Sequence, residues 1–125
     1  MVAVVNRAPD STIDTIGGIS VTAQIFALCN QKGGVGKSTS TFHLARAAVL
    51  RGQRVLVVDN DPQGNLTSVA AAEPVGEDQA GLADVLSARA PETLRDVIVP
   101  GIWSGLDVVP TSGITLGWVL SLIHI

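Results

Sequence analysis

The sequence predicts an α/β fold, a parallel sheet flanked by helices. Three observations carry this. Two short apolar runs, AQIFALC at 23–29 and VLVV at 55–58, read as strands buried within a sheet. A glycine-rich loop, residues 30–36, follows the first run. From Lys37 to about Arg51, Phe42, Ala45, Ala48 and Val49 then recur on one face at helical spacing. Strand, loop, helix and strand make one βαβ unit with a right-handed crossover.

Each element has its own signal. Residues 1–22 carry the breakers Pro9-Asp10-Ser11 and Gly17-Gly18 and read as a loosely ordered leader. Gly52 stops the first helix in the usual C-terminal position. Pro62 and Gly64 break the second strand after Asp61, and a short helix is expected over 66–72. The stretch EPVGEDQA, 73–80, reads as an exposed acidic loop. Two short helices follow, 82–88 and 92–98, with Leu82, Val85 and Leu86 on one apolar face and Leu94, Val97 and Ile98 on the other. Pro91 suits the start of the second. A third short strand is expected over 106–109.

Composition bounds the function. The chain has 125 residues, enough for one small domain with a core. Its 46% hydrophobic and 15% charged residues are globular rather than disordered values. The net charge of -3 advertises no basic nucleic-acid surface on these residues. The one cysteine, Cys29, excludes an internal disulfide and fits a reducing compartment. Its apolar surroundings predict a buried, inert thiol rather than a nucleophile. His43 and His124 form no metal-binding spacing with it. Residues 1–20 lack a secretory pattern, and no run approaches the roughly 20 apolar residues of a membrane span. The expected location is cytoplasmic.

The loop carries the chemistry. Gly36, Lys37 and Ser38 supply the G-K-S end of a phosphate loop, but Gln31 stands where the opening glycine belongs, with Lys32 beside it. A triphosphate needs backbone N–H groups aimed inward and a helix N-terminus behind them. Gly33, Gly34 and Gly36, with Val35 between, let the chain approach phosphates closely, and the helix beginning at Lys37, Ser38 and Thr39 adds its positive end. Lys37 can place an ammonium on the β and γ phosphates, and the Ser38 hydroxyl can ligate Mg²⁺. A plain glycine-rich turn is the alternative, and the strand–loop–helix context argues against it. The fold is therefore expected to be P-loop NTPase-like. Lys32 is either a solvated surface lysine or a cation for the phosphates of a second subunit, where it would stabilise charge on a transferring phosphoryl group.

The second loop, DNDPQGN, follows the second strand. In doubly wound sheets ligands sit at the carboxyl ends of strands, which brings Asp59 and Asp61 beside the phosphate loop. Phosphoryl transfer to water needs a carboxylate near Mg²⁺ and a group that orients the water, and two aspartates one residue apart can divide these tasks. The same residues also compose an ordinary turn.

KGGVGKST followed by VLVVDNDPQGNLTS resembles the ParA/Soj group of the deviant-Walker (MinD/ParA/NifH) P-loop ATPases. The resemblance covers residues 23–112, including GLADVL, IVP and GLDVVPTS. Lys32 matches the group's signature lysine, and Gln31 is common in its Soj-like branch. DPQGN separates this branch from MinD-like proteins and nitrogenase iron proteins. The resemblance implies ATP and Mg²⁺ as cofactors. It places Lys37 on the phosphates, Ser38 and Asp59 near the metal, and Asp61 beside the hydrolytic water. Lys32 would reach across an ATP-sandwiched homodimer. It also implies a slow switch for plasmid or chromosome partitioning that binds DNA without sequence preference, answers to a ParB-like partner, associates with the nucleoid and needs no membrane.

The chain departs from the family in two ways. The helix and the aspartate-ending Walker B strand that follow VVPTS in the family are missing, as are the later base- and DNA-contacting parts. The expectation is the N-terminal half of the domain. The ending ITLGWVLSLIHI leaves the family pattern after Ser112, and SLIHI resembles a translated sequencing-adapter read. Residues 113–125 are therefore expected to come from a truncated or chimeric frame, with a true apolar strand or helix as the alternative. Two other functions stand beside the partition ATPase. One is a non-enzymatic fragment that docks on a partner. The other is a MinD-like positioning ATPase, disfavoured because no Lys or Arg follows Arg95. An incomplete parallel sheet also leaves apolar edges, which predicts a marginally stable, aggregation-prone chain.

Overall fold

The computed structural model describes residues 2–7, 23–87 and 91–112. Among these residues five strands form one mixed sheet with helices on both faces. In chain order they are β1 (Val2–Arg7), β2 (Ala23–Leu28), α1 (Lys37–Leu50), β3 (Arg54–Asp59), α2 (Asn65–Ala70), α3 (Leu82–Leu86), α4 (Leu94–Val97), β4 (Val99–Pro100) and β5 (Leu106–Val109). The sheet order is β2-β1-β3-β5-β4. The α/β architecture is as expected, and the elements from β2 onward fall within a few residues of their expected bounds, apart from the two-residue β4, which no sequence signal announced.

Alternation along β3 builds the two layers. Val55 and Val57 face α1 and α2, where they pack with Ala45, Leu66, Ala70, Leu106 and Val108. Phe42, Ala48 and Val49, expected on the apolar face of α1, close this layer together with Trp103. The Trp103 ring lies 4.8 Å from that of Phe42 and 4.7 Å from the Arg46 guanidinium. On the opposite face Leu56 and Val58 meet Leu82, Val97 and Val109 under α3 and α4. Helix α1 ends as predicted: Arg51 caps it, and Gly52 takes the left-handed φ of 76°.

Three expectations are corrected. Residues 2–7 are not a loose leader but a strand, consistent with the β-branched Val2, Val4 and Val5. This strand lies between β2 and β3 and pairs antiparallel with both. The sheet is therefore mixed, and β2 and β3 are not neighbours as a simple βαβ unit requires. Both run opposite to β1, so they remain parallel to each other. One strand apart, they stand about 10 Å from each other. Among the described strands only β3 and β5 pair in parallel. The rest of the leader and the 113–125 tail lie outside the described residues.

The third correction concerns burial. β2 was expected to be a buried strand, yet Ile25 is 71% and Phe26 51% exposed. It is an edge strand, and α1 lies over β1 and β3 rather than over it. A groove of about 270 Å³ opens between Phe26 of β2 and Leu44 and Ala48 of α1. Cys29, at the end of this strand, is exposed rather than buried for the same reason.

Candidate functional site

The parallel sense of β2 and β3 sends their following loops to the same end of the sheet. There Gly33, Gly34, Val35, Gly36, Lys37, Ser38, Thr39, Asp61, Gln63 and Asn65 line a cavity of about 520 Å³. Every residue expected to cradle phosphate from Gly33 to Thr39 lies on it. Gly34 and Gly36 adopt φ of 72° and 81°, a region closed to most side chains. A Cβ added at Gly33 or Gly34 would meet nothing within 4 Å, so the backbone borders open space.

Helix α1 begins at this cavity without a side-chain cap and without an acidic residue in its first turn. Its leading N–H groups are thus left for a ligand, and its positive end is uncompensated. The Lys37 ammonium donates to the carbonyl of Lys32 at 3.2 Å and so holds its charge at the loop. Lys32 itself is exposed and does not line the cavity; its backbone N–H donates to Asn30 Oδ1 at 2.9 Å.

The two aspartates part company. Asp61 faces the cavity, and its Oδ1 accepts the N–H of Gln63 at 3.0 Å, an Asx turn that stands the side chain up. Asp59 is fully buried and does not line the cavity. Its Oδ1 accepts the Asp61 N–H at 3.2 Å, and its Oδ2 accepts both the N–H and the hydroxyl of Thr67, at 2.8 and 2.7 Å. Gln63 and Asn65 were not among the expected site residues. Their signal was present in the DPQGN loop, but polar residues beside a proline read first as a turn.

The residues present fit a nucleotide phosphate and a hard cation. Open backbone donors and a lysine suit the anion, while the Ser38 hydroxyl and the Asp61 carboxylate supply oxygen donors beside it. No cluster of three His, Cys, Asp or Glu capable of holding a metal exists among the described residues. A Mg²⁺ site made of one or two protein oxygens and phosphate needs none. No helix among the described residues is long and apolar enough to cross a membrane.

Comparison with known proteins shows the family. A family described as an AAA domain matches residues 23–123. The chromosome partitioning protein ParA of Caulobacter vibrioides is 42% identical over 89 residues, 70% of this chain and 32% of its own length.

The chain belongs to this AAA-domain family, within the ParA/Soj group.

The sporulation initiation inhibitor protein Soj of Bacillus subtilis is 40% identical over 89 residues, 71% of the chain and 34% of Soj. A putative replication protein A of Sinorhizobium fredii is 38% identical over 90 residues and is covered over 22% of its length. The chain thus spans about a third or less of the relatives it matches. No solved structure matches it. Membership in the ParA/Soj group carries the coarse assignment, a partition-ATPase family that uses a nucleotide.

Proposed function

We propose that this chain binds MgATP on its phosphate loop and forms part of a ParA-like switch that hydrolyses ATP in plasmid or chromosome partitioning. One observation supports this above the others: residues 33–39 and Asp61, from two loops separated by a whole strand, line one cavity. Lys37 and the N–H groups of Gly33 to Thr39 hold the phosphates. Ser38 offers the metal its hydroxyl, and bound Mg²⁺ supplies charge neutralisation on the phosphoryl oxygens. Asp61 orients the hydrolytic water. Asp59, expected near the metal, is held off the cavity by Thr67 and the Asp61 N–H and acts on the site only through the loop it anchors.

Lys32, exposed and off the cavity, is free to reach the nucleotide of a second copy in an ATP-dependent homodimer. ParB-like stimulation, sequence-independent DNA binding and association with the nucleoid belong to the same proposal for the whole protein. The test is phosphate release with MgATP, duplex DNA and a ParB-type partner. Release by the parent chain and its loss in Asp61→Ala, with ATP binding retained, is the expected result. A second reading rests on the bare β2 edge: a non-enzymatic chain that docks on a partner. Absence of any Asp61-dependent release moves that reading ahead.

A further inference from the structure

Thr67 is named by no motif of phosphate binding, yet it sits at the centre of the second loop. It is 5% exposed. Its N–H and its hydroxyl both donate to Asp59 Oδ2, at 2.8 and 2.7 Å. The same hydroxyl oxygen accepts the backbone N–H of Thr111 at 3.1 Å, across 44 residues of sequence. The other Asp59 oxygen accepts the N–H of Asp61. One side chain therefore joins three segments: the start of α2, the loop that aims Asp61, and the exit of β5.

We infer that Thr67 is the positioning residue of this site: it fixes the buried Asp59 carboxylate, Asp59 fixes the Asp61 backbone, and Asp61 is thereby aimed into the phosphate cavity. A carboxylate buried without partners is strongly disfavoured, so its acceptor sites must be filled from within. Thr67 fills one oxygen twice. A hydroxyl is the side-chain group that can donate to Asp59 and accept from Thr111 at once. The hydroxyl of Thr111 itself has no hydrogen-bond partner among the described residues, so the recorded polar tie from this residue to the loop runs through its N–H. The arrangement makes the exit of β5 and the Asp61 loop move together. Its catalytic meaning rests on the ATPase reading; the linkage itself does not.

The test is amide hydrogen exchange on the nucleotide-free chain, comparing the parent with Thr67→Val and Thr67→Ser. Exchange without nucleotide decides the linkage even if the chain proves not to bind ATP. In Thr67→Val the amides of Asp61 and Thr111 should exchange about tenfold faster or more, while those of Val57 and Val108 keep parent rates. Thr67→Ser, which restores the hydroxyl, should return both amides to parent protection. A role in packing alone predicts no such rescue pattern. Parent rates at Asp61 and Thr111 in Thr67→Val overturn the inference. If Thr67→Val unfolds the whole sheet, Thr67→Ser decides: fast exchange at Asp61 and Thr111 beside a protected Val57 overturns it, and full protection supports it.

Discussion

At the scale of single residues, the site depends on small backbones at one loop and a filled core beneath it. Gly36 holds φ of 81° at the start of α1. Gly36→Ala should destabilise the chain by about 1–2 kcal/mol, the cost of a left-handed conformation for a residue with a Cβ, and should also weaken nucleotide binding; thermal melts and ATP titration check both. Leu66 is fully buried between α2 and the β3/β5 face. Leu66→Ala should cost about 2–5 kcal/mol in denaturant unfolding. That residues 33–39 would lie together on one cavity was legible, because a glycine-rich stretch between a strand and a helix must turn tightly at the helix start. The fates of Asp59 and Asp61 were not. Alternation along a strand would keep two carboxylates at i and i+2 on one face, but β3 ends at Asp59 and the turn after it re-aims Asp61, so only coordinates show which carboxylate reaches the cavity.

At the scale of elements, the short helices are held by their first turns. In α4 the Asp96 carboxylate accepts the Thr93 N–H at 2.6 Å and the Thr93 hydroxyl at 2.7 Å. These bonds, the backbone one foremost, hold its pKa below the ordinary 3.8. A depressed carboxylate contributes stability that is fully present above its unfolded pKa and is lost as pH falls through the folded value. Protection of the α4 amides should therefore be constant above the ordinary carboxylate range and fall in acid below it. Asp96→Asn should flatten that dependence, measured by hydrogen exchange against pH. Helix α1 was readable to its last turn because an apolar face and a terminal glycine agree. β2 was readable as a strand but not as an exposed one. Apolar composition does not say which strand the helices cover, and AQIFALC reads the same at an edge as at a centre.

At the scale of the whole molecule, β1 decides the architecture. A strand from the start of the chain stands between the two strands that carry the site loops, so the cavity spans about two strand spacings. Pairing between segments distant in sequence is a tertiary outcome, and local pattern alone does not reveal it. Among the described strands β2 is an edge of the sheet, and it exposes Ile25 and Phe26, which makes it the liability for association. Ile25→Lys should reduce self-association in sedimentation while leaving the melting temperature within a few degrees, since the residue is mostly solvent-exposed. A parent chain that stays monomeric at high concentration would contradict this.

The central claim is that two loops of this sheet form one nucleotide-phosphate site. Calorimetric titration of the parent chain and of Lys37→Ala with MgATP tests it most directly. Saturable binding by the parent, weakened about tenfold or more in Lys37→Ala by loss of a charge-assisted contact, is the predicted result. Equal affinity in the two chains, or no binding by a folded parent, would contradict it.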